Sequence, residues 1–218
     1  MFDQIGTADM KGSLIAFTAD RFGDTDSAMA LNGDGTQVPS GIYFDTPEFS
    51  ISVWIFPQGV GTWSRIIDFG NGPNSDNIVF VLSNSASNMP EIDIFSGSNW
   101  IIEVTSSEAF TLNEWHFIVA TYDGFTANVY LNGKLTASLN MAYKMTSIQR
   151  STCYIGKSEW GDPGSASYLD DLRFYNKSLT KVDIIELMNQ NETSQFIFNY
   201  AFKVPHFLDF HKFFFEFF

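Results

Sequence analysis

Glu91 and Asp93 stand two residues apart in the run Glu91-Ile92-Asp93-Ile94-Phe95-Ser96. On a strand, a period of two places both carboxylates on one face. Paired carboxylates about 5 Å apart are what a retaining glycosidase uses, one as nucleophile and one as acid/base. The bland alternative is a solvent-facing strand that carries two acids. A different carboxylate, Asp170, shares strand parity with Tyr168, Leu172 and Phe174. A carboxylate on an apolar face is costly unless it is paired or bound to a cation. Asp170 is therefore expected to hold a metal ion, to accept backbone N–H groups, or to pair with an Arg or Lys.

Other reactive side chains point to less. His116 lies inside an aromatic, β-branched run and reads as a structural histidine. His206 and His211 are spaced as no standard zinc pair is. The one cysteine, Cys153, excludes an internal disulfide and reads as a small buried side chain. There is no G-x-S-x-G element and no phosphate-binding glycine loop. Three tryptophans, Trp63, Trp100 and Trp160, fall in or beside loops, where an indole can stack on a sugar ring or anchor a protein partner. Trp160, between Glu159 and Gly161-Asp162, is the preferred contact of the three.

The elements that must position these groups are strands. Glu48 to Phe56 alternates apolar with small or polar residues and is expected to stop at Pro57. Glu114 to Tyr122 is followed by Asp123-Gly124, and Phe125 to Leu131 by Asn132-Gly133. Both dipeptides suit type I′ turns, so a meander is predicted that closes with Lys134 to Leu139. Weaker strands are expected at 28–31, 41–44, 65–69, 78–82, 91–95, 100–104, 152–155 and 167–175. Many short strands at regular spacing favour an antiparallel sandwich or barrel. One short helix is predicted late, where Thr180 and Asp183 form a capping pair ahead of Ile184, Ile185, Leu187 and Met188.

At 218 residues the chain suits a single large β domain, here residues 1–195. Residues 196–218 carry ten Phe in 23 positions and do not continue the pattern; this tail is left without a role. A net charge of −13 opposes binding to nucleic acid and to anionic membrane surfaces. No apolar run is long enough to cross a bilayer, and none near Met1 resembles a signal peptide. Asn176-Lys177-Ser178 and Asn191-Glu192-Thr193 match the glycosylation sequon.

Several segments in order resemble the laminin-G-like, concanavalin A-like jelly-roll family of lectins and glucanases. They are Ala19-Asp20-Arg21-Phe22-Gly23 leading to Leu31-Asn32-Gly33, Phe49 to Ile55, Trp115 to Gly124 with Val129 to Gly133, Tyr154-Ile155-Gly156, and Leu169 to Thr180. The resemblance spans about residues 3–188. It implies an all-β, two-sheet antiparallel sandwich with one short C-terminal helix. The family's first strand is missing ahead of Asp3-Gln4-Ile5-Gly6, which would leave an edge unpaired and suggests a fragment of a longer extracellular protein.

The resemblance also bears on function. In laminarinase-type members a second Glu follows the Glu-x-Asp pair, and here Phe95 and Ser96 occupy its place. Hydrolysis would need another acid, such as Glu103. In the same relatives the final-strand Asp binds structural Ca2+ with backbone carbonyls of an early loop, which places a calcium at Asp170 and near Gly33. The leading expectation is a non-catalytic, extracellular or cell-surface binding module that recognises a glycan or a protein. The alternatives are a laminarinase-like glycoside hydrolase and a structural spacer or adhesion domain of a larger protein.

Overall fold

The computed structural model describes residues 16–190. The N-terminal edge, the Asn191 sequon, the boundary at 195, the Phe-rich tail and His206 and His211 lie outside the described residues.

Within them the chain forms β1 (Ala16–Thr18), β2 (Ala28–Asn32), β3 (Thr36–Val38), β4 (Gly41–Ile42), β5 (Phe49–Gly59), β6 (Ser64–Gly70), β7 (Ile78–Ser83), β8 (Glu91–Ser96) and β9 (Asn99–Thr105). There follow β10 (His116–Tyr122), β11 (Thr126–Leu131), β12 (Lys134–Asn140), β13 (Gln149–Arg150), β14 (Thr152–Ile155), β15 (Ala166–Tyr175) and α1 (Lys181–Met188). A seven-stranded antiparallel sheet runs β1-β2-β15-β5-β10-β11-β12, and a six-stranded one runs β3-β14-β6-β7-β8-β9. A two-stranded β13-β4 ribbon sits apart. This is the expected jelly-roll sandwich with its single helix.

The period of two explains the layers. On β5, Phe49, Ile51, Val53 and Ile55 enter the core between the sheets, while Ser50, Ser52 and Trp54 face away. On β7 and β8, Ile78, Phe80, Leu82, Ile92 and Ile94 meet them from the other sheet. Aromatic rings fill the centre: Phe69 lies 4.9 Å from Tyr43, 6.0 Å from Phe44 and 5.7 Å from Phe174. A smaller cluster covers the outer face of the seven-stranded sheet, where α1 and Leu179 lie over Phe117, Val119 and Tyr130. The helix starts with the predicted reciprocal capping of Thr180 and Asp183.

Three local expectations need correction. β5 does not stop at Pro57 but continues to Gly59. Pairing with β10 ends at Ile55, and the register with β15 slips between Ala166 and Ser167, beside Pro57. A one-sided, bulged stretch tolerates a residue with no N–H. Asn132-Gly133 is a type I′ turn, with φ of 50° and 75°. Asp123-Gly124 is not: only Gly124 is left-handed, and the Asp123 carboxylate accepts the N–H groups of Phe125 and Thr126.

The third concerns Asp170. A β-bulge lies between Asp170 and Arg173, where three steps on β15 advance against two on β5. Asp171 takes the left-handed conformation there, at φ 49°. The slip reverses parity. Leu172 and Phe174 face the core, whereas Asp170, opposite Trp54, shares the outer face with Tyr168, which stacks on Phe56.

Candidate functional site

The outer face of the six-stranded sheet gathers most of the residues singled out for chemistry. Since Ile92 and Ile94 point into the core, Glu91, Asp93 and Phe95 point the other way. Register extends this across the sheet. Asp68, Val79, Asp93 and Glu103 are successive neighbours on β6, β7, β8 and β9, and Val81, Glu91 and Thr105 form the next row. Val79, Val81 and Phe95 form an apolar floor, against which Trp63 and Trp160 pack.

The three tryptophans of the sequence reading therefore converge. Trp160 lies 5.7 Å from Phe95, and Trp100 stacks on Phe95 at 5.4 Å. Trp100 stands on the edge strand β9, and 47% of it is exposed.

Charged partners pin the loop that carries Trp160. Arg65 donates to the Trp63 carbonyl and, at 3.0 Å, to Asp162, with its guanidinium 5.6 Å from the Trp160 ring. Ser158 donates to Asp162 at 2.9 Å and accepts the Trp160 N–H at 3.0 Å. Asp68 accepts the Glu159 N–H and the Asn77 amide, each at 3.0 Å. The sequence reading missed Arg65 and Asp68. Their signal is two charged residues in the otherwise apolar run Arg65-Ile66-Ile67-Asp68-Phe69.

Glu91 and Asp93 are not on a solvent-facing strand: they are 0% and 4% exposed. Glu91 Oε2 accepts from Asn84 and Thr105. Glu91 Oε1 and Asp93 Oδ1 have no hydrogen-bond partner among the described residues. Burial, with the Glu91 charge adding to it, pushes the Asp93 carboxyl well above the usual range. Glu103, across the ladder from Asp93, is exposed, and its pKa is also raised, by partial burial and then by Glu91. Three acids thus share a face as the hydrolase expectation requires. Two of them, however, are buried, and Phe95, in contact with Trp100 and Trp160, stands where a second glutamate would be.

Burial raises Asp68 from 3.8 to about 7, against the pull of its hydrogen bonds and Arg65. The folded chain then binds this proton more tightly than the unfolded one. Its contribution to stability is complete below pH 3.8 and is lost as pH rises to about 7. The melting temperature of Asp68→Asn, relative to the native chain, is expected to climb between pH 4 and 7 and level off above. A pH-independent difference would refute this assignment.

A family model described as the concanavalin A-like lectin/glucanases superfamily matches residues 31–185. The chain belongs to this superfamily. Among solved structures it is similar to domain 4 of AbnA, a GH43 extracellular arabinanase from Geobacillus stearothermophilus, in complex with arabinotriose. That match has a TM-score of 0.71 at 22% identity and covers 84% of this chain and 89% of that one. It is also similar to the binding domain of botulinum neurotoxin serotype G, with a TM-score of 0.62 at 17% identity over 85% of this chain and 47% of that one. The ligand-binding domain of serotype D, in complex with N-acetylneuraminic acid, gives a TM-score of 0.61 at 16% identity over 84% and 46%. The chain spans about half the length of these toxin domains. No curated protein sequence matches it.

The calcium that the superfamily resemblance places at Asp170 and Gly33 does not fit the residues present. Arg21 donates to Asp170 and, at 2.7 Å, to Asp171, while its guanidinium lies 4.3 Å from the Phe22 ring and 5.2 Å from that of Trp54. A cation already occupies the carboxylate that a second would need. The Gly33 N–H bonds to the Ser165 carbonyl, five residues before Asp170 and so roughly 15 Å away at the strand rise. Among the described residues no group of three His, Cys, Asp or Glu side chains is arranged to hold a metal. Calcium takes six to eight oxygens. Asp170 is thus the paired carboxylate of the other expectation.

The remaining reactive groups are structural. The His116 ring nitrogens lie 2.9 Å from the Thr111 carbonyl and 3.1 Å from the Asn132 amide. Cys153 is fully buried, and its thiol is pushed up to about 12 by that burial. Trp54 lies half-buried on the outer face of the seven-stranded sheet beside Arg21.

Proposed function

We propose that this chain is a non-catalytic binding module that takes a carbohydrate on the outer face of its six-stranded sheet, as an extracellular or cell-surface unit. The carrying observation is the row Trp160, Phe95 and Trp100, with centroids 5.7 and 5.4 Å apart. Aromatic faces give the C–H face of a sugar ring an apolar platform. The superfamily, the arabinotriose complex and the N-acetylneuraminic acid complex support a glycan over a protein ligand. Burial of Glu91 and Asp93 supports binding without hydrolysis, because a nucleophile must reach the anomeric carbon.

The test is a glycan array with the full chain, followed by calorimetry on the best ligand. Trp160→Ala is expected to weaken binding about tenfold or more, as loss of a stacking residue does, with the melting temperature lowered by only a few degrees. Release of reducing sugar that is abolished in Glu91→Gln would replace this reading with the hydrolase. Unchanged affinity in Trp160→Ala would move the site elsewhere.

A further inference from the structure

We infer that Asn176 is an acceptor site for an N-linked oligosaccharide, attached at the end of the seven-stranded sheet beside α1 and away from the aromatic row; this rests on the extracellular part of the reading above. Asn176-Lys177-Ser178 is an Asn-x-Ser sequon whose middle residue is not Pro. It lies between the end of β15 at Tyr175 and the Thr180 cap of α1. Asn176 and Lys177 are exposed, and Ser178 is half-buried.

The segment is held from beneath by its backbone. Ser50 Oγ donates to the Lys177 carbonyl at 2.9 Å and accepts the Leu179 N–H at 2.8 Å, and Glu48 accepts the Ser178 N–H at 3.0 Å. All three bonds engage main-chain atoms of the segment, so a sugar on the Asn176 amide would break none of them. The amides of Asn71 and Asn77, by contrast, are spent on the Gln149 carbonyl and on Asp68, each at 3.0 Å. The donor would be an oligosaccharide carried on a lipid pyrophosphate. Asn176 Nδ2 forms a bond to the anomeric carbon and loses one proton. The bond from that carbon to the pyrophosphate oxygen breaks, and the lipid pyrophosphate leaves with the electron pair.

The fold then fixes where the sugar stands. Tyr175 pairs with Ser50 on β5, and Leu179 packs with Phe117 and Ile184 on the outer face of the seven-stranded sheet. Trp160, Phe95 and Trp100 lie on the outer face of the other sheet, with the core between. A bulky, solubilising group at Asn176 would keep the α1 side in water and leave the aromatic row open to its ligand.

The full chain is expressed behind a cleavable secretory leader in eukaryotic cells and digested with trypsin, which cuts after Lys177 and Lys181 and so parts Asn176 from Asn191. Mass spectrometry is expected to find a glycan on the Asn176 peptide of most molecules. It is expected to be missing in Ser178→Ala, which keeps the asparagine, and in Asn176→Gln. Both variants, made without glycan in a bacterial cytoplasm, are expected to melt within about 2 °C of the native chain, as exposed substitutions do. An unmodified Asn176 in folded chain from the medium overturns the inference and leaves ligand binding by the aromatic row standing. A ligand affinity that changes when the attached glycan is removed overturns its placement. A glycan on Asn176 in a chain that binds no array glycan upholds the site and overturns the binding reading. Retention of the chain with neither sequon modified overturns the inference and the extracellular reading together.

Discussion

Removing the Arg21 guanidinium as Arg21→Ala is expected to destabilise the domain by about 3–5 kcal/mol, the range for breaking one side of a buried ion pair. Its side chain is 6% exposed and that of Asp170 4%, so water screens neither. Among the described residues Arg21 alone holds Asp170, and it shares Asp171 with Arg173, which donates at 3.0 Å. Burial raises the Asp170 pKa, the Asp171 charge raises it further, and Arg21 is the opposing influence. For Asp171, burial is outweighed by Arg173 and Arg21 and the pKa is lowered. Without Arg21, two neighbouring buried carboxyls face each other and Asp170 must take up a proton. Urea unfolding at pH 7 measures the loss. The double change Arg21→Met with Asp170→Leu, which removes this pair and leaves Asp171 to Arg173, is expected to recover most of it, because an apolar replacement of a buried pair is often neutral. A loss below about 1 kcal/mol for Arg21→Ala would show that the network is open to water.

Phe69→Ala is expected to cost a similar amount, about 3–5 kcal/mol, by a different mechanism. The ring is fully buried and touches Tyr43, Phe44 and Phe174, which come from β15 and from the segment between β4 and β5. Truncation removes transfer free energy and leaves a void that rigid aromatic neighbours cannot close. Phe69→Leu is expected to lose less than half as much. Equal losses for the two substitutions would mean that the edge-to-face contacts, rather than volume, carry the energy.

Long strands with sustained alternation were legible in the sequence, and so was the helix, because period and capping are local properties. β5, β10, β11 and α1 follow expectation to within a few residues. β1, β3 and β13, of three, three and two residues, were not legible. A two- or three-residue strand has no measurable period and exists only because a partner strand offers it a ladder, as β14 does for β3. Trp63, Trp100 and Trp160 were recognisable as exceptional individually. Their convergence on Phe95 was not, since it depends on the register of β6 to β9 and on the loop that Arg65 and Asp68 hold in place.

Alternation and turn chemistry are enough to set the class of structure, because they specify two apolar faces that must pack together. The direction in which the acids face comes from long-range packing. A single extra residue in β15 turns Asp170 from the core to the outer face and into the grip of Arg21, which reaches it from 149 residues away. The same tertiary packing buries Glu91 and Asp93 on the outer face of the other sheet. Parity along a strand is a local rule, and one bulge inverts it. Burial is a sum over neighbours distant in the chain, so no window of sequence contains it.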